Sequence, residues 1–135
     1  MAFADSQASA QIFYGDGEAS IELAGTVTKG DILGNSGGWK RALATVSSVV
    51  QGRCVASEDG VSGQRISAYF GTVLMDDRLS GGTKGSALYV AEGTDNGEYT
   101  ETAPTTTGDA NKIVGYMVGA SLAVIRPNMN DDSVA

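Results

Sequence analysis

The chain has 135 residues, 41% of them hydrophobic, enough for one domain with its own core. Its 16 acidic and 9 basic residues give a formal charge of -7, which repels phosphate backbones and anionic lipid and excludes nucleic acid as a direct partner. Histidine is absent and Cys54 is the single cysteine, so Ser-His and Cys-His nucleophile pairs, cysteine metal cages and intrachain disulfides are all excluded. A small β-domain of this size gains stability by self-association.

The first ten residues are rich in Ala and Ser and lack the basic and apolar regions of a secretion signal, and no apolar run reaches the roughly 20 residues of a membrane helix. A soluble chain with no membrane partner is expected. Residues 1–14 read as an N-terminal arm, frayed in the isolated subunit or ordered on a partner through Phe3, Ile12, Phe13 and Tyr14. Residues 15–127 form the β domain, and 128–135 a polar, acidic C-terminal tail that should be mobile.

The 19 glycines fall between short apolar segments and act as punctuation. Strands are predicted at 19–23, 25–27 and 31–33. Residues 42–50 carry both a helical and an alternating pattern, and the β-branched run from Thr45 favours strand. The clearest element is 64–75, alternating with period two and placing Ile66, Phe70 and Leu74 in the core. Further strands are expected at 86–91, 99–102, 113–118 and 122–125, with turns at 15–17, 35–38, 58–60, 80–82, 95–97 and 119–120. A weak echo links Thr28-Lys29-Gly30-Asp31 to Thr83-Lys84-Gly85-Ser86; common turn chemistry and a duplicated β-unit both produce it.

The remaining motifs carry little chemistry. Cys54 lies in an alternating apolar segment, as a buried inert thiol does. The pairs Glu58-Asp59, Asp76-Asp77 and Asp131-Asp132 read as solvated turns, and Asp95-Asn96-Gly97-Glu98 lacks the remaining ligands of a Ca²⁺ loop. The glycine-rich stretches 34–38 and 81–85 do not fit the spacing of a phosphate loop. No catalytic residue, cofactor or metal is therefore assigned. Trp39-Lys40-Arg41 is either a packed tryptophan beside solvated charges or an interface anchor through Trp39 and Arg41. The Thr-rich stretch 100–109 is a surface loop, free or in contact with a neighbouring subunit.

These features together give an all-β barrel or sandwich of short strands. With the elements Lys29-Gly30-Asp31-Ile32-Leu33, Lys84-Gly85-Ser86-Ala87-Leu88-Tyr89-Val90, 113–118 and 122–125, the chain resembles the lambda-type head decoration proteins of bacteriophages, which stabilise the capsid. The resemblance implies a β-tulip or β-clip-like barrel and a homotrimer bound to the major capsid protein on the outer capsid surface of the virion. It also implies that the N-terminal segment, here Phe3 to Tyr14, orders on the shell. Glycine-rich tail-fibre or head-fibre modules that bind a host receptor share the style, and would use Trp39, Tyr89, Tyr99 and the Thr-rich loop as a platform. A trimeric hydrolase of the dUTPase kind, acting through Asp76 or Asp77, lacks its nucleotide motif here.

Overall fold

A computed structural model describes residues 2–135, and these form thirteen short strands with no helix. In chain order they are β1 (Ala4–Asp5), β2 (Gln11–Gly15), β3 (Glu18–Glu22), β4 (Ile32–Asn35), β5 (Trp39–Arg41), β6 (Cys54–Ala56) and β7 (Arg65–Tyr69). They continue with β8 (Val73–Asp76), β9 (Leu79–Ser80), β10 (Ala87–Val90), β11 (Tyr99–Thr100), β12 (Ile113–Met117) and β13 (Ala123–Ile125). The all-β expectation holds.

One sheet runs β11-β10-β12-β13-β8-β2, a second runs β3-β7-β6-β4-β5, and β1 pairs with β9; every pairing is antiparallel. The expected barrel is corrected in detail. The five-stranded sheet curls until β5 meets the chain beyond β3 at the single parallel bridge Leu23↔Trp39, with no ladder to close it.

Two apolar clusters fill the interior where one core was expected. The larger lies under the six-stranded sheet and contains Met75, Leu88, Val114, Met117 and Ile125; the smaller lies inside the curl and contains Ile21, Leu33, Cys54, Ile66 and Ala68. Strands β4 and β6 serve both. Ile32 and Val55 face the larger cluster, while Leu33, Cys54 and Ala56 face the smaller. A strand buried on both faces needs apolar side chains at both parities, and Ile-Leu and Cys-Val-Ala supply them.

The long predicted strand 64–75 is two strands in different sheets. Its chain turns a corner at 70–72, clamped by the β2–β3 turn: Thr72 N–H donates to Asp16 Oδ1 at 2.6 Å, Gly71 N–H to the Asp16 carbonyl at 3.1 Å and Phe70 N–H to the Gly17 carbonyl at 3.0 Å. Strands that switch sheets do so at such corners. The corner shifts the inward phase by one residue, so Ile66 and Ala68 are buried before it and Val73 and Met75 after it, leaving Leu74 outward. Phe70 is half-buried against Trp39 in the smaller cluster.

Other expectations change for local reasons. Residues 45–48 form a turn with Ser47 at φ 74°, so only 54–56 of the predicted later strand is extended; 25–27 contributes just the Val27↔Gly60 bridge. The echo is turn chemistry. Its two copies place Gly30 at φ 97° and Gly85 at φ 88°, each closed by an N–H bond back to the Thr carbonyl. The same turn recurs with Gly63, Gly97 and Gly108, outside any repeat.

The N-terminal arm is corrected most. β1 and β2 are sheet strands, Ala10 is 3% exposed, and Phe3 and Ile12 pack on the larger cluster. The accessible surface of 6212 Å² is close to the roughly 6,600 Å² of a compact monomer of this size, with no area to spare for an extended arm. The C-terminal tail is likewise docked, since Ser133 bridges Ala110 and Val134 exchanges backbone bonds with Gly108 and Asp109.

The corner is tight enough to test. A Cβ at Gly71 would overlap the Asp16 carboxylate that caps Thr72. Gly71→Ala is expected to cost about 1–3 kcal/mol through this overpacking, read as a lower denaturant midpoint with an unchanged slope.

Candidate functional site

The densest polar cluster is buried. Arg78, 3% exposed, holds Asp5 in a two-pronged contact, Nε to Oδ1 at 2.8 Å and Nη2 to Oδ2 at 3.2 Å, while its Nη1 lies 2.8 Å from Asp31 Oδ1. The other Asp31 oxygen accepts from Arg41 Nε at 2.6 Å and from the Thr28 N–H at 2.8 Å. Asp5 also accepts from the N–H groups of Gln7 and Tyr99. Two guanidinium groups thus neutralise two carboxylates. Burial opposes the Arg78 charge, yet hydrogen bonding to Asp5 and the nearby acidic groups more than offset it. Burial raises the Tyr99 phenol well above its ordinary value, and its hydroxyl donates to the Gly30 carbonyl at 2.8 Å. With its acceptors occupied, this cluster is built to hold chain segments together.

A cleft of about 460 Å³ opens between Phe3–Asp5 and the Thr-rich loop, rimmed by Glu92, Asp95 and Glu98. Burial and then the charges of Asp5 and Asp95 raise the Glu98 pKa. Glu92 is raised by its hydrogen bond to Asp109, but Asp109 itself accepts the Val46 N–H at 2.7 Å. Among the described residues no group of three acidic or cysteine side chains has metal-holding geometry. Cys54 is fully buried and its thiol is pushed up to about 12 by burial, so it is inert as expected.

A second polar cluster pins the tail. Lys112, 3% exposed, donates from Nζ to the carbonyls of Asn128 at 2.6 Å and Asn130 at 2.9 Å, while Arg53 grips the Asp131 carboxylate at 2.6 Å. Burial, then the neighbouring Arg53 charge, brings the Lys112 pKa down to about 8.

The surface feature left unsatisfied is the outer face of the six-stranded sheet. Register places Tyr14 beside Leu74, Leu74 beside Val124, Val124 beside Tyr116 and Tyr116 beside Ala87, one uncharged row across five strands. Their neighbours in sequence, Val73, Met75, Ala123, Ile125, Met117 and Leu88, point into the core. Tyr14 is 53% exposed, Tyr116 48% and Ile113 54%. A hollow of about 430 Å³ lies here against Ala87, Ile113, Tyr116 and Val124. Exposed apolar residues contiguous across strands mark a contact surface more than scattered ones do.

Of the residues expected at an interface, only Phe13 and Tyr14 are exposed, and Tyr14 alone lies in the row. Phe3 and Ile12 pack on the larger core. Trp39 meets Phe70 edge to face at 5.4 Å, and Arg41 belongs to the buried ion cluster. Leu74, Ile113, Tyr116 and Val124 were missed. The available signal was Ile-Val-Gly-Tyr-Met in β12, apolar at both parities, which requires cover on both faces. Tyr99, expected on a receptor platform, is core, while the Thr-rich loop is exposed around a buried Pro104.

Two measurements test the polar clusters. Asp5→Asn leaves the buried Arg78 and the half-buried Arg41 sharing the single carboxylate of Asp31 and is expected to cost about 3–5 kcal/mol of unfolding free energy, read by chemical denaturation. For Lys112, the unfolded chain keeps its proton up to the ordinary lysine value of 10.5 and the folded chain only to about 8, so raising the pH between these values favours the folded state. Cys54 acts oppositely above its ordinary value of 9, where the unfolded chain loses the thiol proton and the folded chain keeps it. The denaturation midpoint should therefore rise from pH 8 to 9, and Lys112→Met should abolish the rise.

The chain matches no protein-family model, and comparison with curated proteins and with solved structures also gave no match.

Proposed function

We propose that the protein is a structural component of a bacteriophage virion that binds the outer capsid surface as a homo-oligomer, trimeric by the resemblance, and stabilises the shell without catalysis. The observation that carries this reading is the uncharged, half-exposed row Tyr14-Leu74-Val124-Tyr116-Ala87 on an otherwise acidic domain. The protein's buried charges are used internally, so the surface offers contact area in place of reactive groups. A protein that binds only the assembled shell stabilises it by mass action, and several linked copies raise one another's effective concentration. The acidic exterior disfavours sticking to released DNA.

Mixing the purified chain with expanded empty heads tests this. Saturable attachment with a higher head-disruption temperature is expected. Failure to attach, together with binding to host cells, would establish the fibre-module reading instead.

A further inference from the structure

We infer that the outer face of the six-stranded sheet is covered by a second copy of this chain, related by a rotation axis running along the Tyr14-to-Ala87 row. This rests on the assembly reading above and names the partner of one surface within it.

The flanks of the row differ in charge: Asp76 stands on one side, and Arg126 on the other together with Asp16, whose carboxylate accepts the Tyr14 hydroxyl at 3.0 Å and the Thr72 N–H at 2.6 Å. In β8, Asp76 lies two residues beyond Leu74 and shares its outward parity. Beyond β13, Arg126 lies two residues past Val124 and lines the hollow beside Tyr116 and Val124 as its only charged member. Because β8 and β13 are antiparallel with Leu74 opposite Val124, these two steps lead in opposite directions. Asp76 and Arg126 therefore sit on opposite sides of the apolar row, about 14 Å apart along the strands at about 3.4 Å per residue. Among the described residues neither side chain is in an ion pair.

This pattern suits a copy of itself. Two chains of charge -7 repel, so a surface joining them must carry little of that net charge and must set its base against an acid of the other copy. Rotation about an axis parallel to the row brings the Asp76 flank of one copy to the Arg126 flank of the next. It does so for a two-fold pair stacked face to face and for three faces closed around a three-fold axis. Symmetric assemblies require this self-complementarity, whereas a surface made for the shell alone does not. The row itself, being next to the axis, supplies the apolar centre and the charges supply the rim.

The test is solution mass by light scattering, read apart from any capsid. The wild-type chain should be a dimer or trimer and Tyr116→Asp a folded monomer, with folding checked by circular dichroism. Asp76→Arg and Arg126→Asp should each weaken association at least about ten-fold, and the two together should restore it. Val124→Cys, beside the axis and about 10 Å from its own copy across packed sheet faces, should be joined into a covalent dimer by a short bismaleimide cross-linker while Cys54 stays buried. A monomeric wild-type chain, an oligomer that tolerates Tyr116→Asp, a double swap that does not rescue, or no Val124→Cys cross-link would each overturn the inference. Capsid attachment that persists in the monomeric variant would leave the decoration reading standing without this interface.

Discussion

Arg78 is the interaction on which the structure depends. Its guanidinium is fully buried and contacts Asp5 from the N-terminal segment, Asp31 from the turn before β4 and the carbonyl of Gly97 from the turn before β11. Asp31 then draws in Arg41 from β5. Segments far apart in the chain meet at one neutral cluster. Such a cluster adds little net stability over an apolar substitute, but losing one member leaves a charge stranded in the core. Its main effect is to specify where each segment goes, because the apolar cores alone would tolerate several placements of a strand as short as β1.

That placement determines what kind of surface the protein can use. With Asp5 locked to Arg78 and Ala10 under the sheet, residues 2–14 are not free to reach for a partner. In the proposed assembly, contact is made by folded surfaces. The corner at Gly71 matters here too, because it switches the inward phase and turns Leu74 outward into line with Val124. Without that one-residue shift the row would be interrupted at its second strand.

Much of this was legible locally. The hairpin turns at Asn35-Ser36-Gly37-Gly38 and Gly119-Ala120, most strand positions and the buried thiol follow from glycine placement and period-two alternation. The N-terminal segment was not, since Ala and Ser runs resemble frayed ends and the partner of Asp5 lies 73 residues away. Trp39 and Arg41 look like surface anchors in sequence because nothing nearby reveals the Phe70 ring or the Asp31 carboxylate that absorb them. Alternation through 64–75 ran unbroken across the corner, so the sheet switch was hidden and Leu74 was assigned to the core. The apolar row is a cross-strand property of five strands, and β12 alone, apolar at both parities, carries a sign of it within its own sequence.

The sheet edges agree with the proposal that a face, and not an edge, meets a second copy. An open edge offers unpaired backbone groups and invites strand addition unless it is blunted. Here β11 has only two residues, β2 is interrupted by a bulge at Phe13, and β3 carries the exposed Glu18 and Glu22. Those edges are short, irregular or acidic, and like charges on a second copy oppose strand pairing along β3. The outer face has none of these obstacles: five strands continue it, and its charges sit on the flanks, Asp76 on one side and Arg126 with Asp16 on the other. Edge pairing that joins two different edges has no natural stop, whereas face packing about an axis closes after a fixed number of copies.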